Sequence, residues 1–364
     1  MGAGSGMTSG DPIAASRTGA MATGIGSWPG QDMRTTLRLV RDILGEQESD
    51  GARFGLPYLP ELPDRGPGAD MIGRAAGLLV ELAVDLQPSG WRLVDRPGRD
   101  LHRTQQLMRR DLDDLAEAFD GYSGPFKVSV TGPWTLCAHL RLMRGERSAG
   151  DEGARRDLTQ SLAAGIGVHL ADVARVLPEA QLVLQLDEPS LPAVLTGELT
   201  TSSGFGRLRA IDQEEVRRGL AELVIVARAS GATQVVAHCC APRVPIPVLR
   251  GAGVDAISLD TTLLTERGWE SVAATVESGV ELWAGCDVSA ALERQSQGRD
   301  GAHHTVIDPL MERWRQVGLQ DRRLDAVTIT PTCGLAAASP ETAEATHRIV
   351  LDAARELHWR IADA

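Results

Sequence analysis

His238 and Cys240, separated by one residue, form the most chemically loaded short motif in this 364-residue chain. Imidazole and thiolate are the ligands zinc takes, at about 2.0–2.3 Å, in tetrahedral sites. A bend at a strand end turns residues i and i+2 toward one ion. Asp260 and Cys333 follow at the ends of later apolar runs, so one His, two Cys and one carboxylate would complete four-coordination. The plainer reading is that cysteine is a small buried hydrophobe and that a His-x-Cys triplet arises by chance. Position separates the two, because four of the five cysteines (239, 240, 286 and 333) fall at the ends of strand-like runs. Cys239 should point away from Cys240, Cys137 lies at a helix start and Cys286 lacks a partner, so these three read as packing. His303 and His304, in a Gly/Asp-rich loop, read as solvated surface.

The elements that must position such a site are short apolar runs alternating with amphipathic stretches. Eight runs read as strands: residues 22–26, 53–58, 127–131, 181–187, 233–238, 255–260, 281–286 and 325–330. Helical spacing marks residues 37–44, 72–86, 101–119, 158–176, 216–229 and 342–361. Asp212 followed by Glu215 makes a capping-box pattern, and Ser339 precedes Pro340, the favoured first-turn residue. The pattern predicts an α/β fold, a single (β/α)8 TIM barrel with insertions over residues 21–364, with residues 91–94 an excursion in the second connection. In that architecture the strand C-termini build the active site. Here those ends carry Ser27, Glu61, Thr131, Asp187, His238, Asp260, Asp287 and Cys333.

Composition removes other function classes. The chain carries a net charge of −12 with no Lys/Arg-rich run, which argues against nucleic acid as a partner. No apolar run reaches the roughly 18–20 residues that span a membrane. Residues 1–20 are Gly/Ser/Thr-rich without an apolar core and read as a flexible leader. Five cysteines, an odd number, do not make a disulfide framework, and a reducing, cytoplasmic location is expected. Of 37 basic residues only Lys127 is a lysine, an imbalance that reads as base composition. Gly24-Ile25-Gly26 is followed by Pro29, so it is not a dinucleotide fingerprint.

Taken in order, the motifs resemble the C-terminal catalytic barrel of cobalamin-independent methionine synthase, in the zinc-dependent alkyl-thiol transferase group. The correspondence runs from about Met21 to the C-terminus. It passes through Ile25-Gly26-Ser27-Trp28-Pro29, Thr131-Gly132-Pro133, Asp187-Glu188-Pro189, His238-Cys239-Cys240, Ile257-Ser258-Leu259-Asp260 and Pro331-Thr332-Cys333-Gly334-Leu335. The family's separate N-terminal barrel has no counterpart, as in its short core-type members. The resemblance implies zinc as cofactor on His238, Cys240 and Cys333, with Asp260 where the family usually has Glu. It implies that Ile25 and Ser27 hold the carboxylate end of homocysteine, and that Asp187 and Glu61 bind its ammonium group. Asp287 corresponds to the acid at the seventh strand end, retained here as the catalytic candidate. Two residues on, Ser289 replaces the family's catalytic histidine. His139 stands where a tryptophan packs on folate, and Ala193 where an acidic contact is usual.

The resemblance implies a zinc-dependent S-methyltransferase that takes homocysteine or a similar small thiol as a zinc thiolate. Its methyl donor would be methyltetrahydrofolate or a methylated corrinoid protein. A second reading, supported by Ser289, is a zinc-bearing non-catalytic paralogue that binds a thiol metabolite or a partner protein. A metal-free decarboxylase-like barrel is a third, opposed by the intact His/Cys/Cys set.

Overall fold

The computed structural model describes residues 19–48 and 51–363. The expected leader therefore lies outside the described residues, except for its last two positions. In chain order the strands are β1 (Met21–Ala22), β2 (Ala83–Gln87), β3 (Gly90–Val94), β4 (Pro125–Thr131), β5 (Gln181–Asp187), β6 (Ala232–Cys239), β7 (Ala256–Asp260), β8 (Glu281–Cys286) and β9 (Thr328–Pro331). Seven of them form one curled parallel sheet, ordered β1-β9-β8-β7-β6-β5-β4, while β2 and β3 pair separately. From β4 onward every strand lies beside its successor, with helical segments in each crossover, which is the α/β pattern the sequence predicts.

Residues 54–59 reach both edges of this sheet. Ala22 N donates to Phe54 O (2.7 Å) and Leu56 N to Ala22 O (2.8 Å); on the other side Lys127 N donates to Pro57 O and Leu59 N to Lys127 O, both at 2.9 Å. Pro57 and Pro60 carry no N–H. The pairing therefore reduces to isolated parallel bridges, Ala22 with Gly55 and Tyr58 with Lys127. The run at 53–58, expected as a strand, is an irregular segment between the two edges.

The helix expected over 72–86 is shorter, Met71–Leu78. Residues beyond it form β2, which pairs antiparallel with β3 from Ala83–Val94 to Gln87–Gly90. The turn between them places Gly90 at φ +112°, a conformation glycine tolerates at no steric cost. Apolar residues at 79, 83 and 86 fit helical spacing, yet the Pro88-Ser89-Gly90 turn selects the hairpin. Elsewhere the caps behave as read. Asp212 accepts from the backbone N–H of Glu214 and Glu215 to start the helix Gln213–Ala229, and Ser339 accepts from Thr342 N ahead of Pro340–Ala362. Glu215 does not complete the box; its carboxylate pairs with Arg155 at 2.6 Å.

The main core lies between helices and sheet, where Leu37, Leu115, Phe126, Leu184, Leu220 and Trp314 are fully buried. A second buried cluster comprises Met21, Leu56, Val183, Val236, Ala256 and Trp283, drawn from five strands and the 54–59 segment. It fills the concave side of the sheet, with Trp283 the one large ring in an otherwise aliphatic set. No described helix is long and apolar enough to cross a membrane.

Candidate functional site at the strand C-termini

Register aligns the polar strand ends. Thr131 pairs with Asp187, Asp187 with His238, and His238 with Ser258, so four successive strands deliver these side chains at one level. His238 is buried, and its Nδ1 lies 2.9 Å from Ser258 Oγ. Burial pulls its pKa down to about 3, helped by the positive charge of Lys127. The ring is neutral, as a metal ligand must be. Nε2 has no hydrogen-bond partner among the described residues.

Cys240 follows β6 and Cys333 follows β9, yet their sulfurs lie 3.3 Å apart. The contact between the two thiols pulls Cys333 below its ordinary value, while the same contact and burial push Cys240 up. Two thiolates bound to one tetrahedral zinc at about 2.3 Å would stand roughly 3.8 Å apart, so the sulfur pair fits one ion with little movement. Asp260 ends β7 close enough to influence Cys333 electrostatically. Its Oδ1 accepts from Thr262 N (2.9 Å) and Thr262 Oγ1 (2.6 Å), capping the turn Thr261–Leu263. No three of these four groups bring their ligand atoms mutually within 4.8 Å, so a shared ion requires the side chains to move. Among the described residues, the one set of three or more His, Cys, Asp or Glu ligand atoms mutually within 4.8 Å is His303, His304 and Glu356.

That second cluster, half-buried rather than solvated, lies at the start of the helix His304–Gln316. Arg360 already occupies it, with Nη2 2.6 Å from His304 Nδ1 and Nε 2.8 Å from Glu356. A guanidinium there takes the place of a cation.

The loop after β1 folds onto the loop that carries Cys333. Leu335 N donates to Ser27 O (3.0 Å) and Ala336 N to Ser27 Oγ (3.4 Å). A Cβ on Gly334 would lie 2.1 Å from Ser27 Oγ, so any larger residue there would displace the serine hydroxyl. Glu61 joins them through backbone pairing with Gly26 and Trp28. Burial pushes the Glu61 acid up, opposed by Arg74, whose Nε stands 3.4 Å away. Arg74 is in turn paired with buried Asp111 (2.7 Å), which also binds Arg65 (2.6 Å). Asp187 is raised well above the usual carboxylate range by burial and by Glu61. Gln185 Nε2 donates to its Oδ1 at 2.7 Å.

The Thr131-Gly132-Pro133 and Asp187-Glu188-Pro189 motifs are structural complements. Glu188 is buried and accepts from Trp134 N (2.9 Å), Thr135 N (2.7 Å) and Thr135 Oγ1 (2.7 Å), closing the start of the helix Pro133–His139. A Cβ on Gly132 would approach Glu188 Oε1 to 2.4 Å.

Asp287 follows β8 directly. It is exposed, and its Oδ1 accepts from Ser289 N at 2.9 Å at the start of the helix Ser289–Ser296, a contact that lowers its pKa. Cys286 and Cys239 are buried packing residues with thiols pushed up to about 12 by burial. His139 contacts Ser190 Oγ at 3.0 Å. Composition alone passed over Lys127. Its Nζ, fully buried, donates to Gly24 O (2.6 Å), Ile25 O (2.7 Å) and Gln185 Oε1 (2.7 Å). The signal was present, since a sole lysine in the middle of an apolar strand is hard to bury without partners.

Comparison with known proteins bears on the fold and the family. A B12-independent methionine synthase from Shewanella sp. W3-18-1, solved in complex with selenomethionine, superposes over 95% of this chain and 100% of its own, with a TM-score of 0.55 at 13% identity. That identity supports a shared fold. A protein described as a sugar phosphate isomerase/epimerase, from Anabaena variabilis ATCC 29413, covers 74% of this chain and 87% of its own at 10% identity, but its TM-score of 0.39 carries no argument. No curated protein sequence matches the chain. Residues 20–356 match the family model described as the catalytic domain of cobalamin-independent synthase, and the chain belongs to that family of methionine synthase-type methyltransferases.

Proposed function

We propose that this chain transfers a methyl group to the sulfur of homocysteine or a similar small thiol. The metal would be zinc, held by His238, Cys240, Cys333 and Asp260. The observation that carries this reading is the 3.3 Å approach of Cys240 and Cys333, delivered from the ends of separate strands, with buried His238 on the strand that leads into Cys240. A zinc ion bound there supplies the Lewis acidity that keeps a substrate thiol deprotonated at neutral pH. Ser258 holds the His238 ring so that Nε2 is the nitrogen left for the metal. Asp260 is the weakest fit, because one of its oxygens already caps a turn.

The remaining residues orient the thiol. Asp187 and Glu61, two buried carboxylates, suit an ammonium group, and the Ile25–Ser27 loop would receive the carboxylate end. Methyl transfer then forms an S–CH3 bond, and the electron pair of the breaking bond stays with the donor. The donor would be methyltetrahydrofolate or a methylated corrinoid protein. Asp287, exposed and accepting from Ser289 N, is the catalytic candidate at the end of β8. Residues 54–59 would serve as the eighth stave of a barrel that the seven strands otherwise leave open.

Zinc-loaded protein incubated with homocysteine and either methyltetrahydrofolate or methylcobalamin tests this. Methionine should accumulate with at least one donor and require homocysteine. Tight homocysteine binding without methionine from either donor would overturn the transferase reading.

A further inference from the structure

Lys127 lies beneath the proposed amino-acid subsite, and its contacts tie together elements distant in sequence. Its ammonium has three hydrogen bonds, all to oxygen, at 2.6–2.7 Å: two to carbonyls of the loop after β1 and one to the side chain of Gln185 on β5. The ring of Tyr58, from the segment between the sheet edges, lies 4.9 Å from Nζ, and Trp283 on β8 lies 5.9 Å away. The lysine thus satisfies all three donors without solvent.

Gln185 continues the chain of contacts. With its Oε1 accepting from Lys127, its amide nitrogen is committed to donating, and it does so twice: to Ile25 O (2.8 Å) and to Asp187 Oδ1 (2.7 Å). The amide orientation is fixed by the ammonium, since a flipped Gln185 would place its NH2 against Lys127 and its oxygen against a carboxylate. Asp187 therefore has one oxygen held, with its direction set through Gln185 by a residue that never reaches the pocket. Burial pulls Lys127 below the ordinary lysine value, Asp187 and then Glu61 oppose that shift, and Glu61 also raises Asp187.

The geometry points to Lys127 as a positioning residue for amino-acid recognition: through Gln185 it aims the Asp187 carboxylate at the substrate ammonium, and it anchors the Ile25 loop in the same act. This inference rests on the proposed assignment of Asp187 as the ammonium-binding group. It assigns a function to the chain's sole lysine.

Isothermal titration of zinc-loaded wild-type, Lys127→Met and Gln185→Met proteins tests it with two thiols, homocysteine and 4-mercaptobutyrate, which lacks the ammonium group. Wild type should prefer homocysteine. Both substitutions should weaken homocysteine by roughly tenfold or more and 4-mercaptobutyrate much less, so that the preference collapses while zinc content is retained. General loosening of the fold would weaken both thiols alike, and an unchanged preference in either folded variant overturns the inference. Should Lys127→Met fail to fold, Gln185→Met alone decides, because it breaks the link to Asp187 and leaves the ammonium with two carbonyl partners. Wild-type protein that binds both thiols equally would overturn the Asp187 assignment itself, an outcome distinct from failure of the lysine's role.

Discussion

Acid should destabilise this protein through His347, by an amount that the contacts of its ring define. Nδ1 lies 2.7 Å from the carbonyl of Ala343, which can only accept, so Nδ1 carries the proton. Nε2 is then bare and accepts from the Tyr58 hydroxyl at 2.8 Å. Trp28 packs on the ring with centroids 4.6 Å apart, and a Cβ on neighbouring Gly24 would lie 2.4 Å from Nε2. A second proton has no acceptor, and burial pulls the pKa from 6.5 down to about 4. The unfolded chain binds a proton below about pH 6.5 that the folded chain refuses. The contribution of His347 is therefore intact above that pH and is lost as pH falls toward 4. Between pH 7.5 and 5.0 these two values give a loss of about 2 kcal/mol.

Denaturant unfolding of wild-type and His347→Gln proteins at both pH values isolates this contribution. Other buried groups cancel in the difference, including His238 and the acids Asp187 and Glu61, whose raised pKa values act in the opposite direction. The stability advantage of wild type over the variant should shrink by about 2 kcal/mol on going to pH 5.0. A difference that stays constant between the two pH values would refute the reasoning, and with it the tautomer assigned here.

Two further perturbations test the supports of the site. Replacing Asp111 with leucine leaves Arg74, nearly buried, with Glu61 as its remaining ion-pair partner; denaturant unfolding should show a loss of about 3–5 kcal/mol, and a loss under about 1 kcal/mol would contradict the buried network. Gly132→Ala drives a Cβ to 2.4 Å from the Glu188 carboxylate and should cost about 1–3 kcal/mol. As a control, Gly98→Ala at a helix N-cap meets open space and should cost less than about 1 kcal/mol in the same denaturant unfolding, the difference between glycine and alanine as caps.

Much of this architecture was legible in the residues. Five of the eight expected strands coincide closely with regular strands of the sheet, because Val/Leu/Ala runs bounded by glycine and polar residues suit strands buried on both faces, while the run at 325–330 shares only residues 328–330 with β9 and begins in the 3-10 turn Asp321–Ala326. The strand at 22–26 shortens to two residues, since the chain turns at Gly24 to pass between Tyr58 and His347. Prolines 57 and 60 break the next run in a way that apolar content does not register. The hairpin at 83–94 was half hidden, its first strand sharing residues with a helical pattern. In the site, the strand-end position of His238, Asp187 and Ser258 follows from sequence, and register then aligns them. Convergence of Cys240 with Cys333, 93 residues later, depends on the curl of the sheet and the resemblance, not on spacing. Asp287, a catalytic candidate by position, also accepts from Ser289 N where the following helix starts. Lys127 was overlooked because it was weighed as composition and not as one cation that an apolar strand must satisfy.

The central claim is that His238, Cys240 and Cys333 hold the zinc on which thiol activation depends. Metal analysis of protein purified without added zinc measures it most directly. We expect about one zinc per chain, lost in folded Cys240→Ser and unaffected by Glu356→Gln in the His303/His304 cluster. Well-folded wild-type protein without zinc, or zinc that survives Cys240→Ser and leaves with Glu356→Gln, would contradict it.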